Sequence, residues 1–236
     1  MASGWHPYFT HYFEPGSAYL GGDFFFPKNR TADCISYLEK ITKPERQVVL
    51  HHLAVSGQIL ATGGKTCNCL LHPSVRQAVH SKYAKAMAAE LTWCLEHLND
   101  EFKDALEKEY ATLNPQKASK VDFDTLFAAV KNLLETNAVK VIVMNGKNDV
   151  DSAEYSSGSN IIIGGNTLGR GVTFPGLHTI YYTRTSKKPQ ADTMWQHSRM
   201  FGYDRDPGMM KVFIDEPLYK LFADINSTNN SIITQI

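Results

Sequence analysis

Five short apolar runs set the strongest limit on what this chain can fold into: Thr66-Cys-Asn-Cys-Leu-Leu-His72, Val139-Lys-Val-Ile-Val-Met144, Asn160-Ile-Ile-Ile163, His178-Thr-Ile-Tyr-Tyr-Thr183 and Lys211-Val-Phe-Ile214. Each is too short for a helix and rich in β-branched or aromatic residues, the mark of a buried strand. Little polar alternation runs through them, so both faces of each strand need cover. Helical periods lie between several of the runs. Together they predict an α/β domain with a largely parallel sheet and helices packed on it.

The helical periods are explicit. Tyr83, Met87, Leu91, Leu95, Leu98, Phe102 and Leu106 recur at steps of three and four, one apolar stripe on one long helix. A second helix follows with Phe123, Leu126, Phe127, Val130, Leu133 and Leu134 in the same period, capped by Asp122 or Asp124. Residues 32–60 read as helical with an interruption at Pro44, and residues 1–30 are rich in aromatics, Gly and Pro without a clean period. The expected organisation is therefore a lead-in over residues 1–65, the α/β domain over 66–225, and a loose tail over 226–236.

With 236 residues and 43% hydrophobic content, one substantial core is affordable. Twenty-four basic residues balance twenty-four acidic ones, so any contact with nucleic acid must come from a local patch. The four cysteines are too few and scattered for a secreted disulfide scaffold, and Cys67-Asn-Cys69 with His72 lacks a second ligand pair at finger spacing. No metal site is expected. The first twenty residues hold aromatics, histidines and an acid where a leader needs an unbroken apolar run, and no stretch is long enough to span a membrane. A cytoplasmic protein without membrane contact is expected.

Chemistry concentrates in residues 160–205. Asn160-Ile-Ile-Ile-Gly-Gly-Asn-Thr-Leu-Gly-Arg-Gly-Val-Thr173 is a strand running into a glycine-rich turn around Arg170. Gln196-His-Ser-Arg-Met-Phe-Gly-Tyr-Asp-Arg205 reads as a helix with Gln196 and Arg199 on one face, then a glycine break and Arg205. Both segments are expected at C-terminal strand edges, where open α/β sheets bind ligands. Arginines held there suit the transferring phosphoryl group of ATP, where fixed positive charge stabilises the transition state. His72, His178 and His197 read as structural, with His72 the exception to watch because it ends a strand beside Ser74.

Two look-alikes fail. Ala61-Thr-Gly-Gly-Lys-Thr66 resembles the end of a phosphate-binding P-loop, but Ile59 stands where the first glycine belongs and the glycines precede a strand. Gly164, Gly165, Gly169 and Gly171 do not fit a dinucleotide fingerprint, and Val172-Thr-Phe-Pro-Gly176 cannot open the helix it requires. Glu101-Phe-Lys103 matches only the last positions of a metal-nuclease signature and sits on a helix where solvated charges are usual.

At the motifs just quoted the chain resembles the second RecA-like domain of superfamily-two helicases, and more closely the Z1 domain family, which is catalogued with endonucleases and found beside ATPase and restriction or repair components in bacteria. The resemblance runs from Tyr19-Leu-Gly-Gly-Asp23 to Phe213. Gly169-Arg170-Gly171-Val172-Thr173 stands where helicase motif V lies, and Gln196, Arg199 and Arg205 take the Gln and Arg positions of motif VI. Ser198, Asp204 and Thr173 depart from the helicase pattern, at positions usual for Gly, Arg and Asp.

The resemblance implies a RecA-like three-layer domain acting as the second motor lobe of an ATP-dependent DNA translocase in a restriction or repair system. Gln196, Arg199 and Arg205 would be catalytic, and Arg170, Gly171 and Thr173 would bind ATP. Contacts to the nucleic-acid backbone would come from His72, Ser74, Gly165, Asn166 and Thr167. ATP and Mg are the implied cofactors, the Mg held mainly by a first RecA-like lobe whose Walker lysine and acidic motif this sequence does not supply. That lobe, double-stranded DNA and a nuclease or other restriction or repair subunit are the implied partners. A direct endonuclease and a degenerate RecA-like scaffold are the alternatives.

Overall fold

A computed structural model describes residues 11–73, 76–144, 150–165, 168, 172–183 and 199–235. Its centre is a six-stranded sheet in the order β1-β6-β5-β2-β4-β3, every neighbouring pair parallel. The strands are β1 (Ile35–Tyr37), β2 (Thr66–His72), β3 (Val139–Met144), β4 (Gly158–Gly164), β5 (Leu177–Tyr182) and β6 (Lys211–Ile214). The five apolar runs all form strands. β2, β4 and β5 lie inside the sheet and are buried almost throughout, which is why their sequences scarcely alternate.

Among the described residues the α-helices are α1 (Gly22–Phe25), α2 (Pro44–Ala61), α3 (Gln77–Glu96), α4 (Glu101–Thr112), α5 (Phe123–Glu135) and α6 (Glu216–Ile233). Two cores sandwich the sheet. On one face Cys67, Cys69, Leu71, Ile161 and Ile163 pack against α2 to α5; on the other Leu70, Ile162, Ile180, Tyr182 and Val212 meet Phe25, Phe174, Met200 and Phe222. Odd and even strand positions divide between the two cores, as the two-residue repeat of a strand demands. The result is the three-layer α/β class, consistent with a RecA-like fold.

Strand order explains which face each connection takes. From β1 to β2 and from β2 to β3 the chain moves one way across the sheet, and α2 to α5 lie on the first face. From β3 through β4 and β5 to β6 it moves back, and the connecting residues Tyr155, Leu168, Phe174 and Met200 lie on the second. Crossovers between parallel strands keep one hand, so reversing direction forces the connection to the opposite face.

Four local expectations change. Residues 32–60 are not one interrupted helix: they contain β1, a three-residue edge strand, and Pro44 opens α2 at a position where its missing N–H costs nothing. The expected lead-in thus contributes a strand and the central helix to the sheet and first core. α2 is buried from Val48 to Gln58, the polar His51, His52, Ser56 and Gln58 included, because α3, α4 and α5 surround it on the sheet. The single long helix over 83–106 is two, α3 and α4, parted at residues 97–100, where His97 bonds back to the Trp93 carbonyl and Asp100 caps Glu101. The expected tail is helical to Ile233 in α6, with Asn226 and Asn230 both donating to Asp23 at 3.0 and 2.7 Å. α5 is capped by Asp122, whose carboxylate accepts the Thr125 N–H at 2.8 Å.

Candidate functional site

β2 is followed by a connection on the first face and its neighbour β4 by one on the second, so the switch point of the sheet, where open α/β sheets bind ligands, falls between their C-terminal ends, at His72 and Gly164. The glycine-rich turn leaves β4 there. Gly165 is buried, its carbonyl accepts the Leu168 N–H at 3.1 Å, and Leu168 is fully buried. Ser74, Asn166, Thr167, Arg170, Gly171, Gln196 and His197 lie outside the described residues.

Arg199 reaches this turn directly. Its Nε donates to the Leu168 carbonyl at 2.7 Å, joining the two glycine-rich segments across 31 residues of sequence. Gln196, with which Arg199 was expected to share a helical face, lies outside the described residues, and Arg199 itself has a left-handed backbone, with φ 48°. A side chain with a Cβ is rarely held there, and such strain concentrates at functional sites. The next residue, Met200, is fully buried in the second core and anchors the turn.

Arg205 behaves differently. Its Nη1 pairs with the Asp204 carboxylate and its Nη2 donates to the Arg199 carbonyl at 2.8 Å. The guanidinium crosses Gly202 so closely that a Cβ there would lie 2.0 Å from Nη1, so any larger residue would displace it. Burial draws the Arg205 guanidinium below its ordinary pKa, and Asp204 opposes that shift. Asp204 is itself anchored, accepting the Gly176 N–H at 2.7 Å. Gly176 precedes β5, so the backbone around Arg205 is pinned near the N-terminal end of that strand, not at a C-terminal edge. Gly176 has φ 60°, and a Cβ would lie 2.2 Å from the Thr66 carbonyl, so the turn into β5 requires glycine.

His178 and Asp206 complete this end. His178 donates from Nδ1 to the Gly176 carbonyl at 3.0 Å and accepts the Asp206 N–H at Nε2, also 3.0 Å, the structural role its sequence suggested. Burial, against the pull of Gly176, Asp204 and Asp206, lowers its pKa to about 4. The Asp206 carboxylate accepts the backbone N–H groups of Gln116 at 2.8 Å, Lys117 at 2.7 Å and Gly208 at 3.0 Å.

Two other expected contacts are described. His72 is fully buried with its ring 5.0 Å from Tyr182. Thr173 is exposed, one residue before the buried Phe174. The P-loop look-alike follows α2 and opens β2, the reverse of the order a P-loop needs. Cys67 lies in the first core with its Sγ 3.7 Å from His52 Nδ1, and burial pushes its thiol up to about 12.

Several participants gave no sequence signal. Leu20 and Gly202 exchange backbone hydrogen bonds of 2.9 and 3.1 Å, and Tyr203 lies 4.9 Å from Tyr19 while accepting the Gly16 N–H. A separate buried cluster forms on the first face, where Glu109 joins His51 and Lys211 beside a cavity of about 720 Å³. Burial would raise the Glu109 carboxyl, but the hydrogen bond from His51 and the Lys211 ammonium outweigh it and hold the group below the ordinary carboxylate range. No pattern of spacing could have paired residues so far apart.

A family model described as the Z1 domain matches residues 48–236. No curated protein and no solved structure matches the chain.

Proposed function

The chain belongs to the Z1 domain family, and from that premise we propose that it is the second motor lobe of an ATP-dependent, helicase-like DNA translocase in a cytoplasmic restriction or repair system. The observation that carries the reading is the Arg199 to Leu168 hydrogen bond, which ties the arginine segment to the glycine-rich segment that follows β4. A motor needs such a tie, because the segment sensing the phosphates must move with the segment gripping DNA. In this reading ATP and Mg bind between the lobes, with Mg held mainly by the first RecA-like lobe. The segment that carries Arg199 and Arg205 serves the phosphate site. Gly165, Asn166 and Thr167 follow the backbone of double-stranded DNA while Arg170, Gly171 and Thr173 serve ATP, and a nuclease or other restriction or repair subunit completes the assembly.

The test is the DNA-stimulated ATPase of the assembled protein with Arg199→Ala. A fixed cation on the transferring phosphoryl group is worth about 10³-fold or more in turnover. An undiminished rate would remove the phosphate role.

A further inference from the structure

The motor reading treats Arg199 and Arg205 as a pair, but their surroundings differ in charge, exposure and geometry. Resting on that reading, we propose that Arg205 is a positioning residue that locks the left-handed turn at Arg199, and that Arg199 alone presents its cation to phosphate.

Arg205 has little left to offer a ligand. Its side chain is 8% exposed, one Nη faces Asp204, the other faces the Arg199 carbonyl, and Nε lies over Gly202. A phosphate could claim it only by displacing Asp204, which the Gly176 N–H holds in turn. Its charge is balanced where it lies. Arg199, by contrast, pairs with no carboxylate among the described residues, and the only described hydrogen bond of its side chain uses Nε. A guanidinium bound through Nε can still point its Nη edge elsewhere.

The positioning runs through the main chain. A residue at φ 48° stays there only when its surroundings over-determine it. Arg205 holds the Arg199 carbonyl from one side, the Leu168 carbonyl holds the Arg199 side chain from the other, and the Leu20 to Gly202 pairing stops residues 199–205 from sliding. Removing the fork frees the carbonyl, relaxes the turn and draws Nε off Leu168. A charge misplaced by about 1 Å loses much of its effect on a transition state.

The experiment reads Arg199 directly. In 15N-labelled chain, exchange of the Arg199 Nε–H is compared between the parent, Arg205→Ala, Arg205→Lys and Gly202→Ala, with circular dichroism checking the fold. Gly202→Ala keeps both arginines but displaces the Arg205 fork, so it carries the test if Arg205→Ala does not fold. Exchange is expected to quicken about 10-fold or more in all three, as for a bond opened to solvent. In the assembled ATPase all three should lower kcat alike, because lysine keeps the charge but cannot bridge Asp204 and the Arg199 carbonyl. Unchanged exchange in Arg205→Ala and Gly202→Ala, or kcat restored by Arg205→Lys, would overturn the proposal. Failure of the motor reading looks different: Arg199→Ala would then leave the ATPase intact whatever the exchange rates show.

Discussion

The imidazole of His178 accepts a hydrogen bond from the backbone N–H of Asp206 at 3.0 Å, joining the start of β5 to the approach to β6. Because Nε2 is the acceptor and Nδ1 donates to Gly176, the ring must be neutral in the native state. A proton on Nε2 would break the joint.

Stability should therefore fall as pH drops through the range from about 6.5 to about 4. In that window the unfolded chain binds a proton at His178 that the native state refuses, so stability rises with pH and is complete above 6.5. At about 1.4 kcal/mol per tenfold difference in proton affinity, the effect is on the order of a few kcal/mol. His52, buried and lowered to about 3, adds to the same slope. Urea unfolding between pH 4 and 7 should show this slope, shallower in His178→Gln; an identical slope in the variant would mean that His178 does not titrate as described.

Asp206→Ala should cost about 2–4 kcal/mol, since three backbone N–H groups lose a charged acceptor in a site where Asp206 is 2% exposed. Asp206→Asn keeps one carbonyl acceptor and should lose less. Chemical denaturation of the two variants orders them. A loss below about 0.5 kcal/mol for the alanine variant would show that water replaces the carboxylate without penalty.

The chain alone should show no ATP turnover, because residues 61–66 join a helix to a strand and cannot act as a P-loop. A steady-state ATPase assay on purified chain, with Arg199→Ala as the contamination control, decides this. Turnover lost in Arg199→Ala would place a complete site within these 236 residues and end the two-lobe reading.

DNA binding by the chain alone should be weak, indifferent to sequence and only shallowly dependent on salt. Net charge is zero, so few counterions are released on binding. Fluorescence anisotropy on duplex and single-stranded oligonucleotides at several salt concentrations measures the slope, repeated with Asn166→Ala plus Thr167→Ala. Tight, sequence-selective binding would make the chain a specificity module; weak binding unaffected by the double substitution would move the DNA track away from the turn after β4.

What the sequence determined by itself was local. A continuous apolar run such as Asn160-Ile-Ile-Ile163 can satisfy both its faces only inside a covered sheet, and a stripe such as Leu126, Val130 and Leu133 only on a helix against a core. The Asp122 cap needed nothing beyond three residues of chain. The family resemblance was likewise carried by contiguous motifs. Strand β1 escaped notice because three half-buried residues carry too little periodicity, and only pairing with Val212 to Ile214 makes them a strand. The break between α3 and α4 was hidden because its flanking residues keep the apolar spacing. Only the tertiary structure separated Arg205 from Arg199. Sequence presents two arginines six positions apart; which one keeps an uncompensated charge depends on Asp204 reaching Gly176, 28 residues away, and on Leu20 pairing with Gly202 across most of the chain. Contacts between residues that distant leave no local period, because folding brings them together only after each local pattern is already satisfied.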